Sequence, residues 1–214
     1  MIREYKDHKF KHILVCTIVG SGLVPLVRSW EAQRGNLLRV LAYHRIGDPE
    51  TENGLLDPDL LSATPELFEQ QMRFLVDNYR LISILDLLQV IETHEPLPPQ
   101  SVLVTFDDGY HDFLSVAWPI LEHYHVPTIL FLPTGPLLSA NDLFWWDRLF
   151  QGLFTTRSLR LNLPFIGDLR LGTKNQRLKA FTQLKRHIRS LDYHIAMSLA
   201  GYSFARARSH PPNI

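Results

Sequence analysis

Two adjacent carboxylates, Asp107 and Asp108, directly follow the clearest strand pattern of the chain, SVLVTF at residues 101–106. A continuous apolar run of this length is typical of a strand buried on both faces of a parallel sheet. Active sites of α/β folds lie at the carboxyl ends of such strands. Two neighbouring carboxylates are costly to bury unless a cation or a shared proton relieves their repulsion. The pair therefore indicates metal-assisted or acid–base chemistry; the alternative is that one Asp only caps the following helix.

Gly109 and Tyr110 complete the motif TFDDGY at residues 105–110. Glycine allows the backbone to turn sharply out of the strand. His44 ends an earlier aliphatic run, at residues 37–44, and either lies near the same pocket or is a hydrogen-bonded structural histidine. The other histidines of this region are expected to be structural, with His111 on a helix surface and His123 and His125 at a helix end, where the helix dipole favours cations.

The elements that position these residues alternate between strand and helix, which predicts an α/β fold. Thr64, Pro65 and Glu66 are typical of a helix start, and Ser83 with Asp86 predicts a capping box. The patterns predict strands at 37–44, 80–82, 101–106 and 128–132, helices at 64–79, after Ser83, and at 110–124, 141–150 and 174–199, a loop at 45–63 and a hairpin at 158–171.

Composition excludes several classes of protein. The 214 residues carry 22 basic and 22 acidic side chains, so no overall positive charge points to a nucleic-acid partner. Cys16 is the only cysteine, which excludes a disulfide framework and a cysteine-rich zinc site, whereas the 10 histidines leave metal binding open. Hydrophobic residues make up 45% of the chain, as in ordinary globular domains.

The segment Ile13–Val27 is apolar and follows Lys6, Lys9 and Lys11. It is short for a membrane-spanning helix and is interrupted by Gly and Pro. We therefore predict an N-terminal helical segment at 1–36 that docks on the domain or touches a membrane surface through residues 12–30. An export signal is the alternative; a cytoplasmic or membrane-associated protein is favoured over an exported one.

The chain resembles the polysaccharide deacetylases, the NodB-homology domains of carbohydrate esterase family 4. The resemblance rests on TFDDGY, is supported by LAYHRI at 41–46, LPPQSVLVTF at 97–106 and WPILEHYHVPTILFLPTG at 118–135, and covers about residues 38–148. FWWDRL at 144–149 is similar to an insertion in one bacterial branch of the family. The resemblance implies a partial distorted (β/α) barrel at 37–200 that lacks its C-terminal strands. The tail at 201–214 has no periodicity and is predicted to be disordered.

The family's activity is metal-dependent hydrolysis of N-acetyl, sometimes O-acetyl, groups on a sugar polymer, a reaction at a carbon–nitrogen bond other than a peptide bond. By position, the resemblance implies that Asp107 is the general base and Asp108 the carboxylate ligand of a divalent metal, usually zinc. It places His44 and Tyr110 near the substrate pocket. Trp145, like its neighbour Trp146, could stack on a sugar ring, although core packing is the alternative.

The resemblance also requires a His-Ser/Thr-x-x-His motif for the two remaining metal ligands, which residues 1–214 do not contain; the nearest fragment, Ser209-His210, is followed by Pro211. We therefore expect a truncated, weakly active or inactive deacetylase-like protein. The alternative is a catalytically dead homologue that binds glycans or a partner. An unrelated phosphatase or glycosyltransferase is disfavoured, because Asp-Asp-Gly-Tyr does not match the Asp-x-Asp spacing of their motifs.

Overall fold

The computed structural model describes residues 37–48, 57, 59–134, 144–191, 198–199 and 203. The predictions for 1–36, including the membrane contact through 12–30, and for the tail at 201–214 apart from Ser203, lie outside the described residues. The elements are β1 (Arg39–Tyr43), β2 (Arg45–Ile46), β3 (Leu61–Ala63), α1 (Pro65–Asn78), β4 (Arg80–Leu81), α2 (Ile84–Thr93), β5 (Ser101–Phe106), α3 (Trp118–His123), β6 (Thr128–Leu130), α4 (Trp145–Thr155), β7 (Arg160–Leu163), β8 (Gly167–Arg170) and α5 (Lys174–Arg189).

The chain divides into two compact units. The first comprises Met1–Ala42, Gln71–Thr105 and Leu121–Ile129, and the second Tyr43–Gln70, Phe106–Ile120 and Leu130–Ile214. The described residues combine helices with parallel strand pairs, which confirms a mixed α/β class. The barrel closure that the resemblance implies stays a prediction.

Strand β5 is the centre of the four-stranded sheet, where β1, β4 and β6 all pair with it. Each of its six residues is buried, as the apolar pattern predicts. The pairing of β4 with β5 is parallel, with Arg80 opposite Ser101 and Leu81 opposite Val102. A strand buried on both faces and bonded on both edges is a rigid support for the residues that follow it.

Helices α1 and α2 begin as predicted. The Thr64 hydroxyl accepts a hydrogen bond from the Leu67 amide at 3.3 Å. The Ser83 side chain accepts from the Asp86 amide at 3.2 Å, and the Asp86 carboxylate accepts from the Ser83 amide at 2.7 Å, which completes the capping box. These bonds satisfy amides that a helix start leaves without an intrahelical partner.

The second unit has an apolar core where α4, the hairpin β7–β8 and α5 pack together. The hairpin predicted at 158–171 is confirmed, with Leu161 paired to Leu169 in an antiparallel register. Alternation along β7 buries Leu161 and Leu163 and exposes the residues between them. Helix α5 is capped by Thr173, whose side chain accepts from the Gln176 amide.

Three local predictions were wrong in part. Residues 45–63 are not a loop throughout, because β2 and β3 lie within them and pair in parallel. The composition of this segment does not indicate that its two ends pair with each other. The helix predicted at 110–124 contains a π-helical turn, Phe113–Ala117, before α3; Pro119 has no amide hydrogen to continue a regular ladder. Helix α5 ends at Arg189, where Ser190 caps it, rather than at 199.

Among the described residues, no helix is long and apolar enough to cross a membrane.

Candidate active site

The candidate site lies where three strand ends of the second unit meet. The Asp107 amide donates to the Tyr43 carbonyl at 2.9 Å, which ties the residue after β5 to the end of β1. The Phe131 amide donates to the Phe106 carbonyl at 2.8 Å and brings in the residue after β6. These bonds explain why His44, Asp107 and Phe131, far apart in the chain, become neighbours.

An aromatic cluster supports these strand ends from inside the second unit. The rings of Tyr43 and Phe106 stack with centroids 5.3 Å apart, and Phe68 meets both edge-on at 5.1 and 5.7 Å. Phe68 and Phe106 are fully buried. Burial also raises the pKa of the Tyr43 hydroxyl to about 12, so this group stays neutral at physiological pH.

The motif turns sharply between Asp107 and Tyr110. Asp108 has φ +72° and Gly109 has φ +66°, two successive left-handed residues, and the Gly109 amide donates to the Asp107 carbonyl at 3.0 Å. A non-glycine residue in this region is strained, although Asp tolerates it better than most. A Cβ on Gly109 would lie 2.3 Å from Leu132 Cδ2, so a larger residue would have to displace the Leu132 side chain as well as adopt a positive φ.

The carboxylates line a cavity of about 410 Å³. Its walls are His44, Asp107, Asp108, Phe131, Leu132 and Pro133. His44 Nδ1 lies 3.1 Å from Asp108 Oδ2. Since a carboxylate only accepts, Nδ1 carries the proton in this contact. The cavity thus has an acidic side and an apolar side, where Phe131 is 53% exposed and Leu132 49%.

Behind the motif, Arg45 and Asp112 form an ion pair with Nε 2.7 Å from Oδ2, in which both side chains are largely buried. The Arg45 guanidinium also lies over the Tyr110 ring, 4.4 Å from its centroid. Asp112 Oδ1 accepts from the Ile46 amide at 3.4 Å. This contact set holds the residues after His44 against the residues after Asp108.

The Tyr110 hydroxyl points to α4 and donates to Asp147 Oδ2 at 2.8 Å. It accepts from Trp146 Nε1 at 2.8 Å. Burial raises the pKa of the Asp147 carboxyl to about 6, against the hydrogen bond from Tyr110 and the charge of Arg45, which lower it. Burial and the neighbouring Asp147 charge raise the pKa of Tyr110 well above its ordinary value. Tyr110 is therefore a neutral donor in this arrangement.

The two tryptophans of the motif FWWDRL have different surroundings in the structure. Trp145 packs against the apolar core of α4, the hairpin and α5. Trp146 stacks on Phe144, with centroids 4.7 Å apart and planes 6° from parallel, and meets Trp145 edge-on at 5.5 Å. Of the predicted site residues, His44, Asp107 and Asp108 lie together in the cavity wall, Tyr110 faces Asp147, and Trp145 contacts the core. The chemical roles assigned to them stay predictions.

A catalytic zinc site normally has three protein ligands and an open position. Within the described ranges, no group of three or more His, Cys, Asp or Glu side chains could hold a metal ion. His44 and Asp108 supply a nitrogen and an oxygen donor side by side, and these two alone do not complete such a site. The described donor set therefore does not fit a catalytic zinc by itself.

Several residues around the site could not be anticipated from the sequence. Arg45 lies within LAYHRI and Asp112 lies just after TFDDGY, but nothing local indicates that they pair across 67 residues of chain. Asp147 stands within FWWDRL, but nothing local indicates that its partner is Tyr110. Phe131 is one apolar residue within a longer apolar run, and only the ladder bond to Phe106 places it in the cavity wall.

Comparisons with known proteins find relatives that match part of the chain. No protein-family model matches the chain. It is 28% identical over 96 residues to the poly-beta-1,6-N-acetyl-D-glucosamine N-deacetylase of Escherichia coli, which is 44% of this chain and 13% of the relative. It is 27% identical over 116 residues to the enzyme of the same name from Staphylococcus epidermidis, which is 50% of this chain and 39% of that one. The chain thus spans well under half the length of the curated relatives it matches.

Solved structures are similar over about half of the chain. The Streptococcus pyogenes deacetylase PplD in complex with acetate has a TM-score of 0.42 and 26% identity, over 53% of this chain and 51% of that one. IcaB from Ammonifex degensii has a TM-score of 0.42 and 23% identity, over 55% and 48%. The sequence matches confirm the resemblance to polysaccharide deacetylases over part of the chain, and these relatives are hydrolases of carbon–nitrogen bonds other than peptide bonds.

Proposed function

We propose that the cavity is part of a polysaccharide deacetylase site that takes an N-acetylated, or O-acetylated, sugar polymer as its ligand. The observation that supports this most is the placement of Asp107 and Asp108 at a turn after a buried strand, where they line a cavity together with the apolar residues Phe131, Leu132 and Pro133. The relatives' names favour a polymer of β-1,6-linked N-acetylglucosamine as the first candidate. We also propose that the α/β elements are part of a (β/α) barrel.

In this proposal Asp107 is the general base. Its carboxylate takes a proton from a water molecule, whose oxygen bonds to the acetyl carbon. The carbon–nitrogen bond then breaks, acetate leaves, and the sugar nitrogen takes up the proton that Asp107 accepted from the water. A base acts only within hydrogen-bond reach of the water, and the fixed turn at Asp108 and Gly109 is what holds the carboxylate in place.

His44 acts by positioning in this proposal. Its Nδ1–H donates to Asp108 Oδ2, which fixes that carboxylate next to Asp107. The apolar side of the cavity suits the acetyl methyl group and the less polar face of a sugar ring, since an exposed aromatic ring such as Phe131 covers apolar area without demanding a hydrogen bond.

A divalent metal, zinc in the first place, stays a prediction, and Asp108 is the residue that the resemblance assigns to it. Because the described donors do not complete a zinc site, no step is assigned to a metal. We expect the 214-residue chain to release little or no acetate.

The incomplete donor set and the aromatic residues favour one second candidate, a protein that binds an acetylated glycan without hydrolysing it. Phe144 and Trp146 form a stacked pair beside Tyr110, which is the kind of surface that sugar rings bind. The two candidates differ in acetate release and agree on glycan binding.

Calorimetric titration with a β-1,6-linked N-acetylglucosamine oligomer tests the shared claim, and an acetate assay on the same samples separates the candidates. We expect saturable binding that Phe131→Ala weakens about two- to tenfold, the order of one lost aromatic contact. Asp168→Asn, on the exposed side of the hairpin, is the control and should bind like the unaltered chain. Absence of binding would overturn the proposal. Zinc-dependent acetate release that Asp107→Asn abolishes would contradict the expected inactivity and exclude the binding-only candidate.

A further inference from the structure

The balanced charge of the whole chain conceals a strongly basic segment. Residues 157–191 contain nine Lys and Arg and a single acidic residue, Asp168, so the rest of the chain carries an excess of acidic residues. This segment forms the hairpin β7–β8 and helix α5 of the second unit. Charge separation of this size within one chain creates a local positive field that the net charge of zero does not show.

Helix α5 has six Lys and Arg, no acidic residue, and a clear division of faces. Its buried face consists of Ala180, Phe181, Leu184, Lys185 and Ile188. Lys179 and Arg186 are seven residues apart, so they lie on one side of the helix, and Arg189 is a neighbour of Arg186 at a spacing of three. All three side chains are exposed. We call Lys179, Arg186 and Arg189 the cationic face.

Two other basic residues of α5, Lys185 and Arg177, make structural contacts. Among the described residues, the ion pairs of this helix both involve Lys185, whose Nζ lies 2.5 Å from Asp57 Oδ2 and 3.1 Å from Asp59 Oδ2. The Arg177 guanidinium donates to the Leu153 carbonyl. The cationic face takes part in neither the Lys185 ion pairs nor the Arg177 hydrogen bond. Its three charges therefore project from a helix whose apolar side is already buried in the core.

We propose that the cationic face of α5 binds the anionic phosphate headgroups of a lipid membrane. The face is convex and about 15 Å long from residue 179 to 189, at a rise of about 1.5 Å per residue, which suits a flat anionic surface. Single-stranded nucleic acid is held by cations interleaved with exposed aromatic rings, and the exposed residues between Lys179 and Arg186, Thr182 and Gln183, are not aromatic.

The sequence supplies a second membrane-type signal. The segment Ile13–Val27 is apolar and is preceded by Lys6, Lys9 and Lys11. Stable peripheral binding takes two such signals, because one alone gives only weak and reversible attachment. This inference concerns a surface separate from the cavity and does not rest on the proposed function.

Co-sedimentation of the full chain with vesicles tests the proposal. Vesicles of phosphatidylcholine mixed with phosphatidylglycerol are compared with vesicles of phosphatidylcholine alone. Each basic residue near an anionic bilayer strengthens the binding constant about fivefold, so Lys179→Gln with Arg186→Gln should weaken binding to the anionic vesicles about 25-fold. Gln has nearly the same helix propensity as Lys and Arg, so folding should be preserved.

The matched control is Arg73→Gln with Arg80→Gln, which removes the same charge from exposed positions of the first unit and should change binding less than about twofold. Added salt should weaken binding of the unaltered chain. Equal losses in both double variants, or equal binding to neutral vesicles, would overturn the proposal. Inorganic polyphosphate is the competing ligand. If the α5 double variant loses affinity for polyphosphate in the same salt range but keeps its affinity for vesicles, the proposal is overturned, because the partner would then be a soluble polyanion.

Discussion

Replacement of Asp147 by Asn should flatten the dependence of stability on pH. Burial raises the pKa of the Asp147 carboxyl from 3.8 to about 6 in the folded chain. The folded chain therefore holds this proton at pH values where the unfolded chain has released it. The contribution to the free energy of unfolding is complete below about pH 4 and is lost as the pH rises through about 6.

The magnitude follows from the size of the shift. About two pKa units at about 1.4 kcal/mol each give a loss of about 3 kcal/mol between about pH 4 and pH 7. Asn cannot titrate, and its side-chain oxygen can still accept from the Tyr110 hydroxyl, which donates to Asp147 at 2.8 Å. The variant should thus keep the contact with Tyr110 and lose the pH slope.

Urea denaturation of both chains at a series of pH values measures the effect, and the free-energy difference between them isolates Asp147 from the other titrating groups. Relative to Asp147→Asn, the unaltered chain should become less stable as the pH rises. Asp168→Asn, an exposed carboxyl on the hairpin, controls for the amide substitution. A difference that does not change with pH, or that changes in the opposite direction, would refute the claim that burial governs this carboxyl.

Three further substitutions test local claims through urea denaturation. Gly109→Ala should destabilise the chain by about 2 kcal/mol, because φ is +66° and the new Cβ would meet Leu132; an unchanged midpoint would contradict the turn geometry. Lys185→Met should cost about 3–5 kcal/mol by leaving the buried Asp57 carboxylate unpaired, and a loss below about 1 kcal/mol would show that this pair is not needed. Ser83→Ala should cost about 1 kcal/mol by removing the cap of α2, and no loss would mean that the capping box is not formed in solution.

The elements that could be predicted from the sequence are those with strong local signals. The apolar run of β5, the capping box at Ser83 and the alternation in the hairpin all appear in the structure. In each case neighbouring residues alone determine the pattern, through burial on both faces, a reciprocal pair of hydrogen bonds or a period of two.

The parts that escaped prediction depend on contacts over long separations. The pairing of β2 with β3 and the ion pair of Arg45 with Asp112 join residues that no local period connects. The π-helical turn before α3 lies next to Pro119, whose missing amide hydrogen interrupts a regular helical ladder, and the apolar periodicity of residues 110–124 does not reveal it.

At the site, the motif located the carboxylates but not their surroundings. TFDDGY indicated a turn at Gly109, and the two left-handed residues agree with it. The motif does not show that Tyr110 faces Asp147, nor that Phe131 lines the same cavity as the carboxylates, because both facts depend on how strand ends and α4 are arranged in space.

The central claim is that an acetylated sugar polymer binds at the cavity after β5. Titration of the isotope-labelled chain with a β-1,6-linked N-acetylglucosamine oligomer, followed by NMR, tests it most directly. We predict that the largest amide shifts occur at Asp107, Asp108 and Phe131, which line the cavity. Shifts that are absent there, or confined to α5 and the hairpin, would contradict it.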